Sequence, residues 1–266
     1  MVNPRLVTLA EKLGNEVSPR QEALDSKPDP VTEPKVLNTR EYIVLENIAC
    51  RDSNGKPFEQ YPQLFVRKDV ERGVNQRQIN HTPFDWVQYF EDKGLFLPSF
   101  ALSCNILSAL YNKRGDPETN KVLMQYKDYG PGYGWHAQNT VVDWGANKII
   151  HYPSQDSQRN NINTKRPTKE LLFARKQIKE MALEEALRNK DFRAYIQNLT
   201  GLTDTETLVG IRKYFGKPAK VWTSLGKDMC AAWLGCYDYG FILDTYGNLG
   251  YDNAARGVRA EKLRGV

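Results

Sequence analysis

Two observations predict an α+β fold with helices packed on small antiparallel sheets. Strand-like segments cluster near the two ends of the chain and in one central hairpin, while the helical periods lie in blocks between them. Such segregation favours α+β over a parallel sheet with alternating helices. No internal repeat is visible.

Residues 1–40 read as an N-terminal helix (Leu6 to Leu13) followed by a flexible, Pro-rich polar linker. A domain is expected over residues 41–266. Glu41–Ala49 alternates as a strand. Asn54-Gly55 centres a turn, and Gln63–Arg67 suits a second strand. Thr82-Pro83 then signals a capped helix ending at Gly94, with Phe84, Val87 and Phe90 on its buried face. Ser99 caps the next helix, whose stripe is Leu102, Ile106 and Leu110, ending near Gly115.

Thr140–Trp144 and Lys148–Tyr152 flank Gly145-Ala146-Asn147 as a hairpin. A polar loop over 154–166 precedes a long helix, Pro167–Asn198, with a break at Asn189. A further helix, Thr203–Phe215, carries a Thr203/Glu206 capping box. Strands follow at Lys220–Ser224, Ala231–Tyr237, Tyr239–Asp244 and Arg256–Ala260.

The 266 residues are enough to bury a sizeable core. A net charge of +5, without a basic patch interleaved with aromatics, argues against nucleic acid as a partner. The four cysteines (Cys50, Cys104, Cys230, Cys236) lack zinc-site spacing and are too scattered for a disulfide framework, although a Cys230–Cys236 bridge stays open. His81 sits before Thr82-Pro83 as the chain enters a helix, and neither it nor His151 pairs at metal spacing. Gly130-Pro131-Gly132-Tyr133-Gly134 lacks the Lys-Ser/Thr of a phosphate loop. No apolar run reaches membrane-span length, and the first residues lack the apolar core of a signal peptide. A cytoplasmic or virion-associated location, or export by a non-classical route, is the expectation.

Trp222 to Arg259 differs from the rest of the chain. Between Met229 and Ala255 there is no Lys or Arg, although the chain holds 37. Tyr237, Tyr239, Tyr246 and Tyr251 alternate with Gly235, Gly240, Gly247 and Gly250. Tyr supplies large amphipathic contact area at low entropic cost, and Gly and Asn let the backbone turn.

The stretch resembles the C-terminal part of variable proteins from diversity-generating retroelements, which have a C-type-lectin-like fold of the formylglycine-generating-enzyme-like variant. It is also similar to related bacterial surface domains of that fold. The resemblance rests on Trp222-Thr223-Ser224, Ala232-Trp233-Leu234-Gly235, the Tyr/Asp/Asn-studded segment after them and Ala255-Arg256-Gly257-Val258-Arg259, with weaker echoes in Leu97-Pro98-Ser99 and Arg166-Pro167-Thr168. The middle of the chain departs from the bacterial pattern, which suits an archaeal or viral member. The resemblance implies a diversified receptor-binding protein with a hypervariable region at about 222–259, presenting exchangeable side chains to a protein or glycan target. The positions that fit the exchange set are Cys236, Tyr237, Asp238, Tyr239, Asp244, Tyr246, Asn248, Tyr251, Asp252 and Asn253; Trp222, Trp233, Gly235, Gly240, Arg256 and Val258 would be fixed. It implies a monomer with no cofactor. The calcium loops of classical lectins have no counterpart here, so no metal is expected.

Two rival readings stand beside this one. Cys104 and His136, with Asp143 or His151 as orienting group, resemble the order in transglutaminase-like and papain-like cysteine enzymes. Cys104 lies inside its helix between Leu102 and Ile106, so a buried structural cysteine is the simpler expectation. The other rival is a structural assembly subunit whose tyrosine face packs on a neighbour.

Overall fold

A computed structural model describes residues 39–71, 79–127, 135–152, 160–163, 180–224, 229–237, 240–250 and 252–260. The chain divides between Leu37 and Asn38, and the described elements all belong to the second unit. The expected N-terminal helix lies outside the described residues, as do most of the 154–166 loop and residues 167–179 of the expected long helix.

A 3-10 turn (Thr39–Glu41) leads into a hairpin, β1 (Tyr42–Arg51) and β2 (Pro57–Arg67), with Gly55 at φ 80° in its turn. Helix α1 (Pro83–Glu91) starts as expected, because the Thr82 hydroxyl accepts from the Asp85 N–H. Its buried face is a correction. Pro83, Trp86 and Phe90 point inward, whereas Phe84 is exposed. Helix α2 (Phe100–Asn112) is capped by Ser99 and buries Leu102, Ile106 and Leu110. Asp116-Pro117 opens α3 (Pro117–Gln125), a helix not anticipated from the sequence.

Strands β3 (Trp135–Asp143) and β4 (Lys148–His151) form the expected hairpin. Asn160–Asn163 adds β5 where a loop was expected. Glu180–Ala182 is β6, so the described end of the expected long helix begins as strand. Two helices follow, α4 (Leu183–Arg188) and α5 (Lys190–Thr200); Asn189 separates them and caps the second through the N–H groups of Asp191 and Phe192. Helix α6 (Glu206–Phe215) starts later than expected: the side chain holding its first turn is Asp204, not Thr203. Strands β7 (Ala219–Thr223), β8 (Met229–Tyr237), β9 (Gly240–Gly247) and β10 (Val258–Ala260) complete the fold.

The class is α+β, with sheets unlike those expected. One is a three-stranded sheet, β1-β2-β10, and the other a seven-stranded sheet in the order β5-β4-β3-β8-β9-β7-β6. The large sheet is mixed, because β7 runs parallel to β9. Its inner face presents Val221, Cys230, Ala232, Leu234, Cys236, Phe241 and Leu243 to a core shared with α2, α5, α6 and the β1–β2 hairpin. A smaller core gathers Trp86, Phe90, Leu95, Leu97, Ala137 and Ala255.

The last described segment ties these parts together. Ala137 N–H donates to Ala254, Glu71 N–H to Ala255 and Arg67 N–H to Gly257, and Val258 bridges Phe96. Arg256, 2% exposed, donates to the carbonyls of Arg67 and Lys68 and to Gln125 Oε1. Its guanidinium also lies 5.0 Å from the Tyr126 ring centroid. A single buried fork therefore joins the end of β2, the end of α3 and the segment 252–260. At Gly257 a Cβ would stand 2.7 Å from Phe90 Cε1, so the helix α1 aromatic packs directly on backbone.

Candidate functional site

The register of β3, β8, β9 and β7 defines the outer face of the large sheet. Trp222, Asp244 and Trp233 are paired across β7, β9 and β8 and lie in one row. The next row holds Lys220, Ile242, Gly235 and Trp135. Alternation puts these side chains opposite the core. The aromatics owe their positions to two glycines. A Cβ on Gly235 would collide with the Trp135 ring, and one on Gly247 with the Trp233 indole nitrogen. Both indoles thus lie down on bare backbone. Trp135 and Trp222, both half-buried, meet with ring centroids 5.8 Å apart. Trp222 Nε1–H donates to Glu180, whose other carboxylate oxygen pairs with Lys220 at 2.6 Å.

Asp244 lies inside this aromatic surround, 6% exposed. Its Oδ1 accepts from the Tyr246 N–H at 2.8 Å. Among the described residues no Lys, Arg or His pairs with it. Burial pushes its carboxyl up to about 7, against the lowering effect of the Tyr246 N–H. Among the described residues the buried Trp233 Nε1–H finds no acceptor. The rim of the face is open: Tyr246 is 41% and Met229 44% exposed. Asn248 and Asp252 are exposed too, and Asn248 Oδ1 accepts from the Gly250 N–H.

The ten positions expected to form a displayed surface therefore separate. Tyr246 and Asn248 are exposed at the end of β9 and just beyond it, and Asp252 is exposed. Asp244 faces outward but is buried. Cys236 is corrected to the inner core, because it alternates with Trp233 and Gly235 on β8. Asn253 is corrected to a buried backbone position: it pairs with His81 in both directions, and its carbonyl accepts from Trp86 Nε1–H at 2.6 Å. Tyr237 ends β8, with its side chain outside the described residues; Asp238, Tyr239 and Tyr251 lie wholly outside them. Of the expected frame, Trp233, Gly235, Gly240, Arg256 and Val258 are buried, while Trp222 is half-buried and belongs to the outer face. Trp135 was missed; its signal was a Trp bordering a Gly-rich stretch, and only the pairing with Gly235 reveals its place.

The cysteine–histidine constellation is enclosed in the interior. Cys104 is 1% exposed, and burial pushes its thiol up, the reverse of nucleophile activation. His136 is buried in β3, stacked on Tyr126 at 4.9 Å, and burial plus the Arg256 charge hold its imidazole well below the usual range. Asp143 Oδ1 caps the adjoining turn through the Ala146 N–H. His151 bonds Thr140 Oγ1 and the Asn198 carbonyl. Each group has a structural occupation. Among the described residues no group of three His, Cys, Asp or Glu side chains is arranged to hold a metal, and no helix is long and apolar enough to cross a membrane. All four cysteines are buried as free thiols.

No family model, curated protein or solved structure matches the chain.

Proposed function

We propose that the chain is a diversified ligand-binding protein, a variable protein of a diversity-generating retroelement with a C-type-lectin-like, formylglycine-generating-enzyme-like fold, and not an enzyme. Its target is a protein or glycan, met by a monomer at the outer face and rim of the large sheet. The observation that carries this reading is the division of labour in the C-terminal segment. Trp233, Gly235, Gly247, Arg256 and Gly257 make close contacts that a larger or different group would disturb, while Tyr246, Asn248 and Asp252 touch solvent. A close-packed frame next to solvent-exposed positions is what exchangeable recognition requires. The closure of β10 onto the β1–β2 hairpin further supports a lectin-like arrangement in which the ends of the domain meet.

The test is the DNA flanking the coding region. A reverse-transcriptase gene and a near-copy of the C-terminal coding segment, differing only at adenines, are expected. A flanking region with neither would overturn the retroelement reading and leave ligand binding to be measured directly.

A further inference from the structure

The outer face holds a buried carboxyl with no charge partner among the described residues. Asp244 is 6% exposed, and its Oδ2 accepts from no described residue. Removing a carboxylate from water without a cation or a full set of donors is costly, and proteins normally supply a Lys or Arg alongside. Among the described residues no such cation pairs with Asp244, and residues 229–255 contain neither Lys nor Arg. The one cation on the described rows of this face, Lys220, is held by Glu180. The flanks of Asp244 are aromatic, with Trp222 beside it on β7 and Trp233 on β8, and Trp135 against Trp222. A carboxyl edged by indole rings matches a flat cation. A guanidinium stacks on Trp, bonds a carboxylate through two N–H groups and sheds water more readily than an ammonium.

We infer that the Asp244 position, with Trp222 beside it, receives the guanidinium of an arginine side chain presented by a protein ligand. This rests on the binding-surface reading above and narrows it: the target is a protein rather than a glycan, and its anchor is basic. Among the described residues only the Tyr246 N–H donates to the carboxyl, and the ligand's cation completes it. That makes charge matching the source of selectivity at this point, while the exposed Tyr246, Asn248 and Asp252 supply contacts around it.

The test is a titration of the full chain with N-acetyl-arginine amide, read from the tryptophan indole N–H signals by NMR. The neutral isostere N-acetyl-citrulline amide is run in parallel. The arginine probe is expected to shift the Trp222 signal and to bind about tenfold tighter than the citrulline probe, the scale of one charge-assisted contact. Asp244→Asn keeps an oxygen for the Tyr246 N–H, so the fold should survive while the preference for arginine disappears. Trp222→Ala should weaken the arginine probe without creating a preference for citrulline. Equal binding of the two probes, an undiminished preference in Asp244→Asn, or no response to the arginine probe overturns the inference. The wider reading is judged separately by the flanking DNA, so the two can fail independently.

Discussion

The indole of Trp233 lies on the backbone of Gly247, across the β8–β9 pairing, with no room for a β-carbon between them. This contact joins the frame to the face: it buries the largest side chain of β8 and sets the place from which Asp244 and Tyr246 project. Gly247→Ala must displace the indole or open the strand pair, with an expected loss of about 1–3 kcal/mol for overpacking. Trp233→Ala should cost roughly 3–5 kcal/mol. The double variant tests the coupling, because once the indole is gone the alanine has space. Denaturant melts should therefore give a double-variant loss well below the sum of the singles.

Asp244 gives the protein a specific pH dependence. Its folded-state carboxyl titrates near 7, raised by burial from the ordinary carboxylate range. Between those two values the folded state binds more protons than the unfolded one, so this group's contribution makes stability fall as pH rises from about 4 to about 7 and level off above. Tyr195, behind the sheet, stays neutral across this window, because burial pushes its hydroxyl up. Asp244→Asn removes the penalty. The variant should be more stable than the parent at pH 8, by about 1–4 kcal/mol, and nearly equal to it at pH 4. An advantage of the same size at both pH values would show that the asparagine acts through packing.

Arg256 should prove irreplaceable by lysine. Its fork serves two main-chain carbonyls and the Gln125 amide oxygen at once. Arg256→Ala is expected to cost about 2–3 kcal/mol or more, since hydrogen bonds to charged groups are lost together and carbonyls are left bare. Arg256→Lys keeps the charge but not the fork. Thermal melts of the two variants should fall close together; full recovery by lysine would mean that charge alone matters.

Cys104 should resist iodoacetamide in the folded protein and react only on unfolding. The thiol is 1% exposed and burial disfavours its thiolate. Rapid native alkylation at this residue, followed by mass spectrometry, would revive the cysteine-enzyme alternative.

Local signals in the sequence carried much of the fold. Thr82-Pro83 and Ser99 cap their helices as their chemistry suggests, and the 140–152 hairpin needs only its own residues to be recognised. Long-range pairings were not legible. That β10 joins β2, or that β7 runs parallel to β9, depends on contacts between segments far apart in the chain. The same gap explains the helix α1 error: Trp86 rather than Phe84 is buried because the terminal segment offers its nitrogen the Asn253 carbonyl. At the candidate site, the Tyr, Gly and Asn composition drew attention to the C-terminal stretch but carried no information on the direction of each side chain. Cys236 was grouped with the exposed positions although strand alternation puts it with Cys230, Ala232 and Leu234 on the core side of β8. Asp116-Pro117 was an available helix start that went unused.

A library of single substitutions across residues 229–260, scored for folded protein by protease resistance, tests most directly whether a tolerant face is built on an intolerant frame. Trp233, Gly235, Gly247, Arg256 and Gly257 should accept almost no replacement, while Tyr246, Asn248 and Asp252 should accept most, because exposed substitutions usually stay within about half a kcal/mol. If Tyr246, Asn248 and Asp252 prove as restricted as Trp233, those side chains belong to the core of the fold, and the binding surface lies elsewhere.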